Sequence, residues 1–182
     1  MQPLKSLIQS LAKLADSEHY LFALDDLRAL FPGLSDGAFK TLISRAVSAG
    51  ALIRVCRGLY LYDQVEYPRG LILFHAAARL RAELFNYLSL ETVLSDAGVI
   101  SQILINRITL LSSGRSHVIS CGNFGVIEFV HTTQKPADLA PHLVYDAACH
   151  LWRASVPQAL RDMRATRRSL DLIDWSVANE FI

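Results

Sequence analysis

Lys40, Thr41, Ser44 and Arg45 fall within six residues of one another, and all four are side chains that hydrogen-bond nucleic acid well. At helical period they share one face, opposite Phe39, Leu42, Ile43, Ala46 and Val47. A helix of this kind fits the major groove, where cationic forks and hydroxyls reach base edges. Arg54 and Arg57 follow in the run Arg54-Val55-Cys56-Arg57-Gly58-Leu59-Tyr60. Gly58 tolerates the positive φ of a tight hairpin turn. Such a hairpin presents Arg54, Arg57 and Tyr60 as a wing for the neighbouring backbone or minor groove. From Gly37 to Tyr62 there are four basic residues and no Asp or Glu. The acids of the first 68 residues lie outside that window, at Asp16, Glu18, Asp25, Asp26, Asp36, Asp63 and Glu66. The charge of this segment is balanced but segregated, as expected of a local electrostatic footprint.

A second basic cluster, Arg153, Arg161, Arg164, Arg167 and Arg168, faces one acid, Asp162, within residues 153–168. The spacing of Arg161, Arg164 and Arg168 (i, i+3, i+7) predicts one helical face. That face is either a second phosphate-contacting patch or solvated surface paired with Asp171, Asp174 and Glu180. Chemistry of other kinds finds little support. Six histidines, at 19, 75, 117, 131, 142 and 150, form no H-E-x-x-H, and no C-x-x-C is present. No catalytic residue, metal or cofactor is expected. Cys149 and His150 adjoin in sequence, which points them apart and favours structural or surface roles. Gly122-Asn123-Phe124-Gly125 reads as a turn, and Ser112–Ser116 could hold a phosphate but is more simply a polar loop.

The elements that must position these residues follow from period and punctuation. Apolar residues at 4, 7, 8, 11, 14 and 15 predict a first helix over 4–15, and Tyr20–Ala23 a short strand. A second helix is expected over 26–31, capped by Asp25 or Asp26 and stopped at Phe31-Pro32-Gly33. Ser35 caps a third, 36–49, which Gly50 ends. Strands at 51–55 and 59–62 close the unit. Beyond a linker at Tyr67-Pro68 we expect helices over 69–85, 90–97, 157–168 and 170–179, and strands at 107–111, 116–121 and 125–132. The stretch 142–154 fits either a helix or a short hairpin. The expected class is α+β: a winged helix-turn-helix over 1–68, then a small mixed domain over 69–182 with a short antiparallel sheet.

Composition agrees with a globular chain. Its 182 residues are 52% apolar and 19% charged, with net charge +1. This excludes disorder and a polybasic arm. No window approaches a membrane span, the N-terminal stretch reads as a helix and not a leader, and three widely spaced cysteines fit a reducing cytoplasm.

The run Phe22–Leu27 with Leu52–Tyr60 resembles the N-terminal winged helix of AbiEi-type antitoxins, the regulators of type IV toxin–antitoxin systems. Tyr87-Leu88-Ser89-Leu90-Glu91-Thr92-Val93-Leu94 resembles the start of that family's second domain. Arg153–Asp162 is similar to its "A-S-P-E-x-A-L-x-D" segment, with the proline displaced to Pro157 and Gln158 where an acid is usual. The resemblance implies a two-domain, non-enzymatic repressor that binds inverted repeats in double-stranded DNA at its own promoter, with copies cooperating on the site. It also implies action against a nucleotidyltransferase-like toxin encoded beside it, without need of a stable complex. The competing class is a winged-helix protein-interaction module that does not touch DNA.

Overall fold

The computed structural model describes residues 2–101 and 105–182. Met1 lies outside them. The chain divides into two compact units, Met1–Ile72 and Leu73–Ile182.

In the first unit, α1 (Pro3–Leu14) begins on a proline, where the missing N–H costs nothing. Leu7 and Leu11 carry its buried stripe. A short strand, β1 (Leu21–Ala23), runs directly into α2 (Leu24–Ala29). The sequence places the start of α2 two residues later, because Asp25 or Asp26 reads as its cap. Asp26 instead sits at the third helical position and its carboxylate accepts from the Ala23 N–H at 2.7 Å. Next come α3 (Asp36–Ser48), β2 (Ile53–Cys56) and β3 (Leu59–Leu61). The three strands form an antiparallel sheet in the order β1-β3-β2. Leu7, Leu11, Phe22, Leu27, Phe39 and Leu42 meet in the core between sheet and helices.

The second unit opens with α4 (Ile72–Leu80), then β4 (Asn86–Leu88), α5 (Leu90–Asp96), β5 (Arg107–Ser112), β6 (His117–Ser120) and β7 (Val126–His131). A short helix α6 (Pro136–Leu139) leads to β8 (Leu143–Asp146) and β9 (Leu151–Ala154), then α7 (Val156–Ala165) and α8 (Trp175–Ala178). The ambiguous stretch 142–154 is therefore a hairpin. The six strands make one sheet in the order β6-β7-β5-β4-β9-β8. Its β5/β7 and β4/β9 pairs are parallel. This corrects the short antiparallel sheet expected from sequence. Strand β4 is buried at all three positions, so its backbone groups need partners on both sides.

Helix ends also differ from expectation: α8 starts at Trp175, capped by the Asp174 carboxylate, rather than at 170. α4 stops at Leu80, five residues early, because the buried Asn86 amide donates to the Arg81 and Leu84 carbonyls and turns the chain into β4. α7 stops at Ala165 rather than 168. Arg167 takes φ +55°, and the Arg168 N–H returns to the Met163 carbonyl, a left-handed helix stop.

Arg168 joins Glu91 (2.8 Å) and Glu128, and Glu128 also accepts from Arg107 at 2.7 Å. Burial pushes the Glu128 carboxyl up, but the two guanidiniums outweigh it and hold its pKa below the ordinary value. A depressed carboxylate stabilises the fold above its unfolded pKa, about 4.3 for glutamate, and that contribution fades as pH falls through the folded value. Glu128→Gln should therefore lower stability at neutral pH and flatten the acid side of the stability curve. Urea unfolding at a series of pH values reads this directly. Parallel curves for parent and variant would show that the cluster contributes no pH dependence.

Candidate nucleic-acid interface

The third helix is fixed at both ends by its own sequence. The Ser35 hydroxyl accepts from the Ala38 N–H, and Gly50 ends the helix at φ +71°. Phe39, Leu42, Ile43 and Ala46 point inward. Gly37, Lys40, Thr41, Ser44, Arg45 and Ser48 are all exposed.

One residue that sequence reasoning missed sets the angle of this helix. The Arg28 guanidinium donates to the Phe31 and Leu34 carbonyls of the α2–α3 turn and lies 5.2 Å from the centre of the Phe39 ring. A planar fork can satisfy two turn carbonyls while stacking on a ring, which a lysine ammonium cannot do. The only sequence signal was a lone cation in the last turn of α2.

The five exposed side chains divide around α3. Lys40, Ser44 and Ser48 line a crevice of about 300 Å³ with Arg54 and Tyr60 from the hairpin; Ile43 and Val47 form its floor. Thr41 and Arg45 line a second hollow, of about 500 Å³, on the side of the α1 start at Gln2, Pro3 and Leu4. The hairpin and the α1 start therefore flank the exposed face of α3.

Arg54 is exposed, and its Nε reaches the Cys56 carbonyl across a bulge in β2. Arg57 is exposed at the turn, where Gly58 takes φ +80°. Tyr60 is only 9% exposed: its ring belongs to the core and only an edge meets the crevice. Among the described residues, the side chains of Lys40, Arg45 and Arg57 form no hydrogen bond or ion pair. Three uncompensated cations around one helix and one hairpin give an anion-attracting surface.

The second basic cluster is not a single face. With α7 ended at Ala165, Arg168 lies off the helix and is engaged by Glu91 and Glu128. Arg161 and Arg164 remain exposed. Arg161 is braced by the Gln158 side-chain amide oxygen, and Arg164 lies over the Trp175 ring. Arg153 is engaged by Asp96 and Asp146.

Elsewhere, Cys149 is buried, and its thiol is pushed up to about 11 by burial and by the neighbouring Asp146. His150 stacks on His75 with ring centres 4.3 Å apart. Among the described residues no group of three or more His, Cys, Asp or Glu side chains could hold a metal. No helix among them is long and apolar enough to cross a membrane.

Residues 9–62 match the family of transcriptional regulators described as AbiEi antitoxin. The match runs from within α1 to β3 and covers less than a third of the chain, including Lys40, Thr41, Ser44, Arg45, Arg54, Arg57 and Tyr60 but not the α1 start. No curated protein matches the chain.

Proposed function

We propose that residues 1–68 are a winged helix-turn-helix domain and that the chain is a DNA-binding transcriptional repressor of its own promoter. In this reading α3 enters the major groove of an inverted repeat. The β2–β3 hairpin is the wing, and residues 69–182 form a second domain that assists binding. Lys40, Thr41, Ser44 and Arg45 read or clamp the groove; Arg54 and Arg57 hold the backbone, with Tyr60 shaping the wing from beneath. The chain also acts as the antitoxin to a nucleotidyltransferase-like toxin encoded beside it. The observation that carries this reading is the set of unpaired cations around α3 and the hairpin, in a segment free of acids and within the residues that match the regulator family.

The test is a titration of a promoter fragment across a salt series. A protein that neutralises several phosphates loses affinity linearly in log–log form as salt rises. Arg57→Ala should weaken binding to specific and unrelated DNA alike and reduce the salt slope by roughly one unit. An unchanged slope excludes a phosphate contact for Arg57. Absence of any salt-dependent DNA binding would favour the protein-interaction module instead. The antitoxin role is read separately, by whether co-expression restores growth to cells making the neighbouring toxin.

A further inference from the structure

Strand β8 is an outer edge of the six-stranded sheet, and no described strand pairs with its outward side. Val144 is 72% exposed, Tyr145 51% and Trp152 43%. Tyr145 and Trp152 face each other across the β8–β9 ladder, edge to face with centres 5.4 Å apart. The strand itself contains no Lys, Arg or Pro, the residues that usually blunt such an edge.

We propose that β8 pairs antiparallel with β8 of a second copy about a two-fold axis through Tyr145. Hydrogen-bond bookkeeping selects the register. The Ser155 N–H bonds the His142 carbonyl, so alternation along the ladder aims the backbone of Val144 at β9 and that of Tyr145 outward. A two-fold through Val144 would need the Leu143 N–H, which already donates to the Ala140 carbonyl. A two-fold through Tyr145 needs only its own N–H and C=O, each bonding the same residue of the other copy. The Leu143 carbonyl is then opposite the Ala147 N–H of that copy.

In this register the two exposed aromatic pairs become one row, Trp152–Tyr145–Tyr145–Trp152, a favourable cross-strand arrangement. On the other sheet face, Asp146 of each copy lies beside Val144 of the other, whose own neighbour on β9 is Arg153. Opposite charges thus approach and no acid meets an acid. The interface is isologous, as two-fold symmetry requires.

A contact built on four residues per copy falls short of the roughly 800 Å² per partner of a stable complex. The free chain therefore associates weakly. Two copies held on adjacent DNA sites would be brought together at high effective concentration. This role on DNA rests on the repressor reading; the contact itself does not.

Sedimentation equilibrium of the full chain without DNA tests the contact. The parent should dimerise reversibly at high concentration. Tyr145→Lys should raise the dissociation constant at least about tenfold, and Val118→Lys, on the opposite edge strand β6, should leave it unchanged. Both positions are exposed, and thermal melts matching the parent verify that both variants fold. A parent that stays monomeric up to about millimolar concentration, or a Tyr145→Lys variant that dimerises as the parent does, overturns the proposal. So does equal weakening by both variants. On DNA, Tyr145→Lys should lose the tighter binding to a two-site fragment and keep single-site affinity. A parent that dimerises through Tyr145 but binds no promoter fragment would overturn the repressor reading and leave the β8 contact standing.

Discussion

Asp162→Ala should unfold the second unit under conditions where the parent is stable. Asp162 is 1% exposed, yet among the described residues it has no cationic partner. One carboxylate oxygen accepts from the Ser89 hydroxyl at 2.6 Å and the Tyr87 hydroxyl at 3.1 Å. The other accepts from the Gln134 and Gln158 amides at 2.9 and 2.8 Å. Burial, with the nearby Asp162 carboxylate, pushes the Tyr87 phenol well up and keeps it a donor. The four donors come from β4, the residue after it, the segment after β7 and the first turn of α7. Removing the acceptor leaves the buried Ser89 and Tyr87 hydroxyls unsatisfied, at a cost of about 2–5 kcal/mol together, whereas the Gln158 amide keeps the Gln134 side-chain oxygen and the exposed Gln134 keeps Thr132. That is a large part of the total stability of a domain, roughly 5–15 kcal/mol. Asp162→Asn should be milder, because the two hydroxyls can rotate to accept from the new amide, although their own protons then lose a partner. Urea unfolding followed by near-ultraviolet circular dichroism ranks the three proteins. An Ala variant within about 1 kcal/mol of the parent, the net worth of one ordinary hydrogen bond, would show that the network does not hold these elements.

On the DNA side, Arg45→Ala should weaken operator binding by about 1–3 kcal/mol, the worth of a bidentate arginine–guanine contact. Arg45 is exposed in the last turn of α3 and makes no ion pair among the described residues, so it is free to reach outward. The loss should be smaller on unrelated DNA, where only its charge counts. That contrast separates it from Arg57, whose loss should be uniform. Gel-shift titrations on operator and scrambled fragments measure both, and a thermal melt verifies the fold. Equal weakening on the two fragments would make Arg45 a phosphate contact, and no weakening would remove it from the interface.

The first unit was largely legible in the sequence because its signals are local. Ser35, Gly50 and the apolar period fix α3, and Gly58 fixes the hairpin. The angle at which α2 and α3 meet was not legible, because Arg28 sets it by reaching carbonyls three and six residues away. The second unit was read less well. Its strands are short, and which strand lies beside which is decided by burial of β4 between β5 and β9, a property no window of sequence carries. Arg164, Ala165, Arg167 and Arg168 all favour helix and only Thr166 does not, so the stop at Ala165 depends on backbone closure more than on composition. Asp162 looked like a lone acid among arginines. The available signal was its spacing: with Gln158 one turn earlier it adds a row to the buried stripe of Val156, Ala159, Leu160 and Met163.

The place of β3 in the middle of the small sheet has a thermodynamic consequence. The Leu24 N–H bonds the Gly58 carbonyl at 2.9 Å, so the tip of the hairpin is tied to the first residue of α2. A two-stranded ribbon held only by its own turn is marginal in water and would have to be ordered when it meets a ligand. Here β1 lies along the far side of β3, and fraying the tip also breaks the start of a helix. The folding of the unit has already met the ordering entropy, which therefore does not subtract from affinity at the surface that Arg54 and Arg57 present. Amide hydrogen exchange at Leu59 and Leu61, on the central strand, should accordingly be as slow as in the core of α3.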